Sequence, residues 1–329
     1  MTVDRGKYPD LITPWEDEAW RSDALAWLEA ALAGRGLRPA GARAVRLRPW
    51  SVLVRVPVEG GNTVWFKANP PASAFEGPLT AALAQWVPAS VLRPLAVDAG
   101  RGWSLLPDGG DVFRDVLDSG SADIRSWEEA LRQYAALQYA VAPHARDMEL
   151  LGVPSARTVD LPGLFDQLLA RCRALAPDER RRLETLRPRL ARWCAELADA
   201  GVPDSLDHAD LHDGQLFHPG TGRFTFFDWG DAAVSHPFCS LVVPARRAAD
   251  RFGPEALPRL RDAYLEPWTG GGRTAAGLRR AAGLAWRLAA LGRATAWGRV
   301  FPSSAPGTVG VGPAETARML LELLTEPPS

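Results

Sequence analysis

The sequence predicts an α+β protein of two lobes: an antiparallel five-stranded sheet with one inserted helix, then a larger and mostly helical part. Three observations predict it. Short alternating apolar segments bounded by turn residues crowd into residues 42–108. The run "PDGGD" at 107–111 then interrupts all periodicity. Beyond it, apolar residues recur at helical spacing, broken by a single β-like island at 204–228. The expected division is 1–108, with a leading helical segment at 1–40, and 109–329.

In chain order, Thr13-Pro14-Trp15-Glu16 reads as a capping box with proline at the first helical position. A helix follows to about Ala33, with an interruption near Ser22, and Gly34 ends it. "RAVRLRPW", "SVLVRVPV" and "NTVWFKA" are three strands, the last two joined at Glu59-Gly60-Gly61-Asn62. Ser73-Ala74-Phe75-Glu76 opens a helix through about Trp86, as a second capping box, and Gly77-Pro78 could break its first turn. "SVLRPLAVDAG" and "GWSLLPD" complete the sheet. Helical faces follow at 123–142, 161–174, 178–200, 254–264, 275–297 and 314–324.

Composition excludes several classes. The chain has 329 residues, 47% hydrophobic and 23% charged, enough apolar material for a full core. It shows no run of about 18 apolar residues, so no membrane span is expected. Its start lacks a basic-then-apolar signal pattern. Three scattered cysteines, Cys172, Cys194 and Cys239, fit a reducing cytoplasm. Net charge is −1 and neither part is strongly basic, which disfavours nucleic acid as a partner. Of 38 basic residues only Lys7 and Lys67 are lysine. A lysine kept inside a strand of so arginine-rich a chain asks for a task that needs a compact point charge.

The island "SLDHADLHDGQLFHPGTGRFTFFDWGDAA" holds three of the five histidines and five aspartates. "QLFHP" and "RFTFFD" read as two short strands around a turn at 220–223, and Asp228 stands 18 residues after Asp210. A hairpin of that size brings Asp210, Gln215 and Asp228 toward one point. As chemistry this is a phosphoryl-transfer set. Asp210 can accept the proton of a hydroxyl. Gln215 and Asp228 offer hard oxygen ligands for Mg²⁺, and Lys67 would meet nucleotide phosphates from the sheet.

"HADLHDGQ" followed by "FFDWGDA" resembles the catalytic loop and metal segment of the aminoglycoside phosphotransferase family, usually H-G-D-L-H-x-x-N and I-D-W-x-x-A. The resemblance spans roughly residues 40–300 and implies a protein-kinase-like bilobal fold. It implies Asp210 as catalytic base, Gln215 in the place of a metal-binding asparagine, and Asp228 as the principal Mg²⁺ ligand. Lys67 would hold the α- and β-phosphates of ATP or GTP and Glu76 would orient it. Leu105, Leu106 and Asp108 would form the hinge that receives the base. His208 and His212 would support the loop. The implied reaction moves the γ-phosphoryl group to a hydroxyl of a small molecule, an aminoglycoside-like antibiotic or a metabolite.

The chain departs from the family in three places. Gln215 adds a methylene to the asparagine. "RPWS" replaces a glycine-rich loop between the first two strands, leaving Ser51 as the candidate for phosphate cover. Ser235-His236-Pro237-Phe238-Cys239-Ser240-Leu241 stands where the family often has G-D-P-x-x-D-L, either beside the acceptor or in the packing beneath it. Asp231 could cap the following segment or contact a cationic substrate. Two other classes compete: a nucleotide-binding regulator without transfer activity, and a metal-dependent hydrolase using His208, Asp210 and His212, which would share one face of a true strand.

Overall fold

The computed structural model describes residues 2–327 except 7, 10, 219–221 and 301–310, together with all their side chains except those of 297–300 and 311. Lys7, part of the expected 220–223 turn and the Trp297 side chain therefore lie outside the described residues. The first lobe contains α1 (Glu18–Gly34), β1 (Ala44–Arg48), β2 (Ser51–Pro57), β3 (Thr63–Ala68), α2 (Glu76–Trp86), β4 (Ala96–Asp98) and β5 (Trp103–Pro107). The five strands pair antiparallel in the order β1-β2-β3-β5-β4. Helix α2 is inserted after the third strand, as the alternation predicts.

Successive residues of β3 point to opposite faces. Phe66 faces α1, where Trp27 meets it at 5.8 Å between ring centroids and Trp20 meets Trp103 edge-on at 5.6 Å. Lys67 faces the other way, toward α2. The leading helix is thus the sheet's apolar cover. It runs unbroken through Ser22, against the expected interruption, and Asp17 caps it by accepting from Ala19 N at 2.9 Å. The Thr13–Glu16 capping box forms, closing a separate 3₁₀ turn ahead of α1.

The second expected capping box does not form. Ser73 lies in a 3₁₀ turn, its buried hydroxyl bonded to nothing among the described residues, and α2 starts only at Glu76. Gly77 and Pro78 do not break the helix. Proline fits the first turn, whose N–H groups have no helical acceptor. Gly77 lets α2 sit on the sheet: a Cβ there would stand 2.7 Å from Ser104 Oγ and 2.8 Å from Val97 Cγ1. That close approach sets the distance between Glu76 and Lys67. The strand expected over 90–100 shrinks to β4, with Leu95 N donating to Leu105 O at 2.7 Å just ahead of it.

The helical part contains α3 (Phe113–Asp118), α4 (Ile124–Val141), α5 (Ala145–Leu150), β6 (Ser155–Ala156), α6 (Leu161–Arg171), α7 (Pro177–Ala198), β7 (Ser205–Asp207), β8 (Leu216–Phe217), β9 (Thr225–Phe226), β10 (Ala233–Ser235), α8 (Val242–Phe252), α9 (Ala256–Leu265), α10 (Ala275–Val300) and α11 (Val311–Glu322). The island is not the lone β element there. Strands β6, β10 and β7 form a second small sheet, parallel between β6 and β10 and antiparallel between β10 and β7. It anchors the two ends of the catalytic island from below. One apolar core, including Trp127, Tyr134, Phe238, Tyr264 and Leu288, holds this layer against α4, α9 and α10. No helix among the described residues is long and apolar enough to cross a membrane.

Candidate active site

Lys67, Glu76 and Asp228 converge from three elements. Lys67 Nζ on β3 donates to Glu76 Oε1 on α2 at 2.7 Å and to Asp228 Oδ1, just beyond β9, at 2.5 Å. Glu76 Oε1 also accepts from Trp229 N at 3.1 Å, so one carboxylate holds the lysine and the start of the metal segment together. The lysine side chain is 8% exposed and Asp228 is 39% exposed. Burial works against charge on Lys67, but the Asp228 and Glu76 carboxylates outweigh it and hold the ammonium protonated. Burial pushes Glu76 upward, opposed by Lys67. Asp228 is held below the usual carboxylate range: burial raises it, and Lys67 more than offsets that.

Asp228 is left-handed, at φ 68° and ψ 61°. Ala209, where the family motif has glycine, is left-handed as well at φ 62°. Such a backbone costs roughly 1–2 kcal/mol for an L-residue and is tolerated where surrounding bonds dictate it. Those bonds come from Asp207, whose Oδ1 accepts from Ala209 N at 2.9 Å and from Ser240 Oγ at 2.6 Å. Ser240 Oγ in turn accepts from Gln138 Nε2 at 3.1 Å and from His208 N at 3.2 Å. Ser235–Leu241 therefore lies beneath the loop rather than beside the acceptor: every residue in it is buried. Burial pushes Asp207 up to about 6.

The histidines brace the loop. His208 is buried, its Nε2 3.0 Å from Phe227 O. Nδ1 of His212 accepts from Gly214 N at 2.9 Å and lies 3.0 Å from Arg114 Nη2, which turns Nε2 toward Asp210 Oδ2 at 3.7 Å. Burial and the Arg114 charge depress His212 to about 4, so it is neutral at pH 7. Residues 208–212 form no strand, and the two imidazoles point to different partners. The His-Asp-His set of the hydrolase reading therefore does not converge, and no cluster of three or more metal-ligating His, Cys, Asp or Glu side chains occurs among the described residues.

Asp210 stands at the mouth of the site, its side chain 45% exposed. Burial, Asp231 and Asp228 push it up toward about 8, while Arg293 and Arg247 pull it down. Water at the exposed face tempers the burial contribution, and the neighbouring carboxylates remain. Gln215 is buried and its side chain bonds Asp228, so the two proposed metal ligands touch. Asp231 ends the 3₁₀ turn Trp229–Asp231, and His236 caps the turn at Pro237–Leu241, accepting from Phe238 N at 3.2 Å.

Of the hinge residues, Leu105 is withdrawn. Its side chain is buried in the sheet core and its carbonyl accepts from Leu95 N at 2.7 Å. Leu106 is half-buried, and Asp108 Oδ1 accepts from Gly110 N at 3.1 Å to turn the chain. Ser51 opens β2 opposite Arg48, and among the described residues no hydrogen bond ties it to the Lys67–Asp228 centre. Sequence reasoning missed the floor under the hinge: Phe217 and Phe227 stack at 4.2 Å between centroids. Gly109 fits against that floor because it lacks a side chain, since a Cβ would fall 2.1 Å from Phe217. It also missed the Arg114–Asp213 ion pair at 2.7 Å that clamps α3 to the loop, although Asp213 lies inside the motif.

A lysine–glutamate–aspartate centre between a five-stranded sheet lobe and a helical lobe, with a second aspartate on a braced loop, defines a kinase-like small-molecule phosphotransferase. A sequence profile of the phosphotransferase enzyme family (APH) matches residues 23–284, and the chain belongs to that family. Among curated proteins none matches. Among solved structures, a macrolide 2′-phosphotransferase from Brachybacterium faecium is similar at TM-score 0.53 and 20% identity, covering 86% of this chain and 99% of its own. An ethanolamine kinase from Plasmodium vivax gives TM-score 0.57 at 11% identity, covering 87% and 81%. A choline kinase from Streptococcus pneumoniae gives 0.52 at 11%, covering 91% and 98%. At these identities the likeness speaks for the fold.

Proposed function

We propose that the protein transfers the γ-phosphoryl group of ATP or GTP to a hydroxyl of a small polar molecule, in the cytoplasm and with Mg²⁺. The observation that carries this reading is the bonding of Lys67 to both Glu76 and Asp228 across the two lobes, with Asp210 on the adjoining loop. The division at 108/109 is then functional: the sheet lobe holds the donor and the helical lobe presents the acceptor. The macrolide phosphotransferase and the two kinases of amino alcohols, by their names, phosphorylate small molecules, which supports a small acceptor here.

Each residue has a part. Lys67, steadied by Glu76, binds the α- and β-phosphates. Leu106 and Asp108 border the base, over the Phe217–Phe227 floor. Asp210 accepts the acceptor's proton as its oxygen bonds to the γ-phosphorus and the bond to the departing nucleoside diphosphate breaks, so atoms and charge balance. The residues fit a divalent cation: Asp228 and Gln215 supply adjacent hard oxygens. When bound, Mg²⁺ offsets charge on the phosphate oxygens. His208, His212, Asp207 and Ser240 hold the loop in register.

The test is a thermal-shift titration with ATP and Mg²⁺ on wild type, Lys67→Ala and Asp228→Asn. Metal-dependent stabilisation of the wild type, weakened in both variants, supports the nucleotide site. No shift with millimolar ATP or GTP would sink it. Gln215 in place of asparagine favours a second reading, a nucleotide-binding regulator, which any Asp210-dependent transfer would end.

A further inference from the structure

Helix α2 precedes the 108/109 division in the sequence but packs beyond it. The molecule has two apolar cores. One lies between the sheet and α1 and includes Leu28, Val54, Phe66, Trp103 and Leu105; among the described residues none from α2 belongs to it. The other fills the helical lobe. Phe75, just ahead of α2, and Leu79 and Leu83 within it belong to that second core, together with Phe113, Tyr134 and Met148. Positions four and eight apart lie along one stripe of a helix.

The side turned to the sheet is different. Glu76 bonds Lys67 and Asn69 there. Thr80, one turn on, spends its hydroxyl on Glu76 O of its own helix at 2.7 Å. Gly77 meets Val97 and Ser104 with no side chain to interlock. Further ties run to the helical lobe. Trp86, at the end of α2, stacks on His144 at 4.1 Å between centroids and 3° between planes. Beyond it, Ser90 O accepts from Phe226 N of β9 at 2.9 Å. At the other end Glu76 Oε1 accepts from Trp229 N. The helix is joined to the helical lobe at both ends and along its apolar stripe. It meets the sheet through small groups and one carboxylate.

We infer that the cleft opens between β3 and α2: the helix stays with the helical lobe, and Lys67 is the latch, leaving Glu76 and Asp228 together as the donor enters. This rests on the phosphotransferase reading for what enters. Parting α2 from the helical lobe would expose Phe75, Leu79 and Leu83 to water. Parting it from the sheet breaks the lysine's bonds, which water and the donor's phosphates replace, while Glu76 keeps Trp229 N. Three connections cross that parting, 69–75, 91–95 and 108–111, all outside α-helices and strands, where hinges form.

A staple tests it. A Cβ on Gly77 would stand 2.8 Å from Val97 Cγ1, so Gly77→Cys/Val97→Cys places two sulfurs within disulfide reach across the parting. The native cysteines are buried. Association of a fluorescent ATP analogue with Mg²⁺ is followed by stopped flow. Oxidation should slow it about tenfold or more, since only open molecules admit the donor, and dithiothreitol should restore it. Equal rates in oxidised and reduced protein overturn the inference, because α2 then travels with the sheet. Failure of the analogue to bind wild type sinks the phosphotransferase reading instead. Spin labels test the parting without nucleotide, and without the staple should it disturb folding. Cysteines for labelling replace the exposed Arg46 on β1, Gln85 on α2 and Arg146 on α5, in pairs. Lys67→Met/Glu76→Gln cuts the latch. In that background the 46–85 distance distribution should broaden while the 85–146 distribution keeps its wild-type width. Broadening of 85–146, or of neither, overturns the inference.

Discussion

Lys67 is 8% exposed and bonded to two carboxylates, while Asp210, on the catalytic loop, is 45% exposed and makes no such direct bond to a lysine or arginine among the described residues. Around Lys67 one buried ammonium is held between two carboxylates, Glu76 and Asp228, both already in the chain. Around Asp210 the charges of both signs act from a distance, Asp231 and Asp228 against Arg293 and Arg247. The difference teaches where this protein can vary. A closed set resists substitution because each member leaves another stranded, whereas an open set can be retuned one charge at a time without unfolding the lobe beneath.

The sharpest break in that comparison is Asp210→Asn. It should lower turnover by about 10²–10⁴-fold and leave the nucleotide-induced thermal shift in place. Transfer at the wild-type rate would remove Asp210 as base. Next comes Lys67→Ala. It strands Glu76, 6% exposed, without its cation, and should cost about 3–5 kcal/mol, read as a lower urea midpoint. Adding Glu76→Gln should recover part of that loss. A double variant worse than the sum of the singles would show that the two residues are not a closed pair.

Acid provides a third, smaller test, set by the packing beneath the loop. His236 is buried, and burial depresses it to about 3. Unfolded, it titrates near its ordinary 6.5. The neutral ring is therefore at no disadvantage above pH 6.5, and stability is lost as pH falls from there toward 3, because the unfolded chain takes the proton first. The ceiling is about 5 kcal/mol. Urea midpoints at pH 7 and 5 should lie further apart in wild type than in His236→Asn, whose side chain can still accept from Phe238 N, with His212 accounting for part of the remaining difference; equal divergence in both would assign the acid sensitivity elsewhere. Ala209→Gly is the mildest. Relief of the left-handed strain and the added chain entropy nearly cancel, so stability should change by no more than about 1 kcal/mol. A larger loss would mean that the Ala209 methyl contributes packing beyond its backbone.

The donor end was legible in the sequence because its residues announce themselves locally. His208 to Gln215 and Asp228 keep a fixed spacing, and Lys67 stands out in a chain with one other lysine. The sheet was legible because β2 alternates over seven residues, Val52, Val54 and Val56 inward and Arg55 outward. Strands β6, β7 and β10 have two or three residues each, too few for alternation to register, and they exist because the surrounding helices bury them. Leu105 does not border the hinge because β5 turns its side chain into the sheet core, a direction that a run of two leucines does not reveal. The loop's carboxylate brace could not be foreseen from the motif, since Asp207 and Ser240 meet from positions 33 residues apart. Arg293 carried no signal at all: it is one of 36 arginines, 65 residues beyond Asp228, on a helix whose period speaks only of packing.

The bond between Lys67 and Asp228 joins positions 161 residues apart. At a synthesis rate of about 5–20 residues per second, roughly ten to thirty seconds pass between the emergence of one and of the other. Glu76 stands nine residues from Lys67 and β5, the strand that pairs with β3 beside it, ends at Pro107, so the lysine's first partner and its sheet are complete in the chain well before Asp228 is made. Asp228 then arrives at a preformed socket. The lysine's two carboxylates thus differ in when they are made, one local and early, the other distant and late.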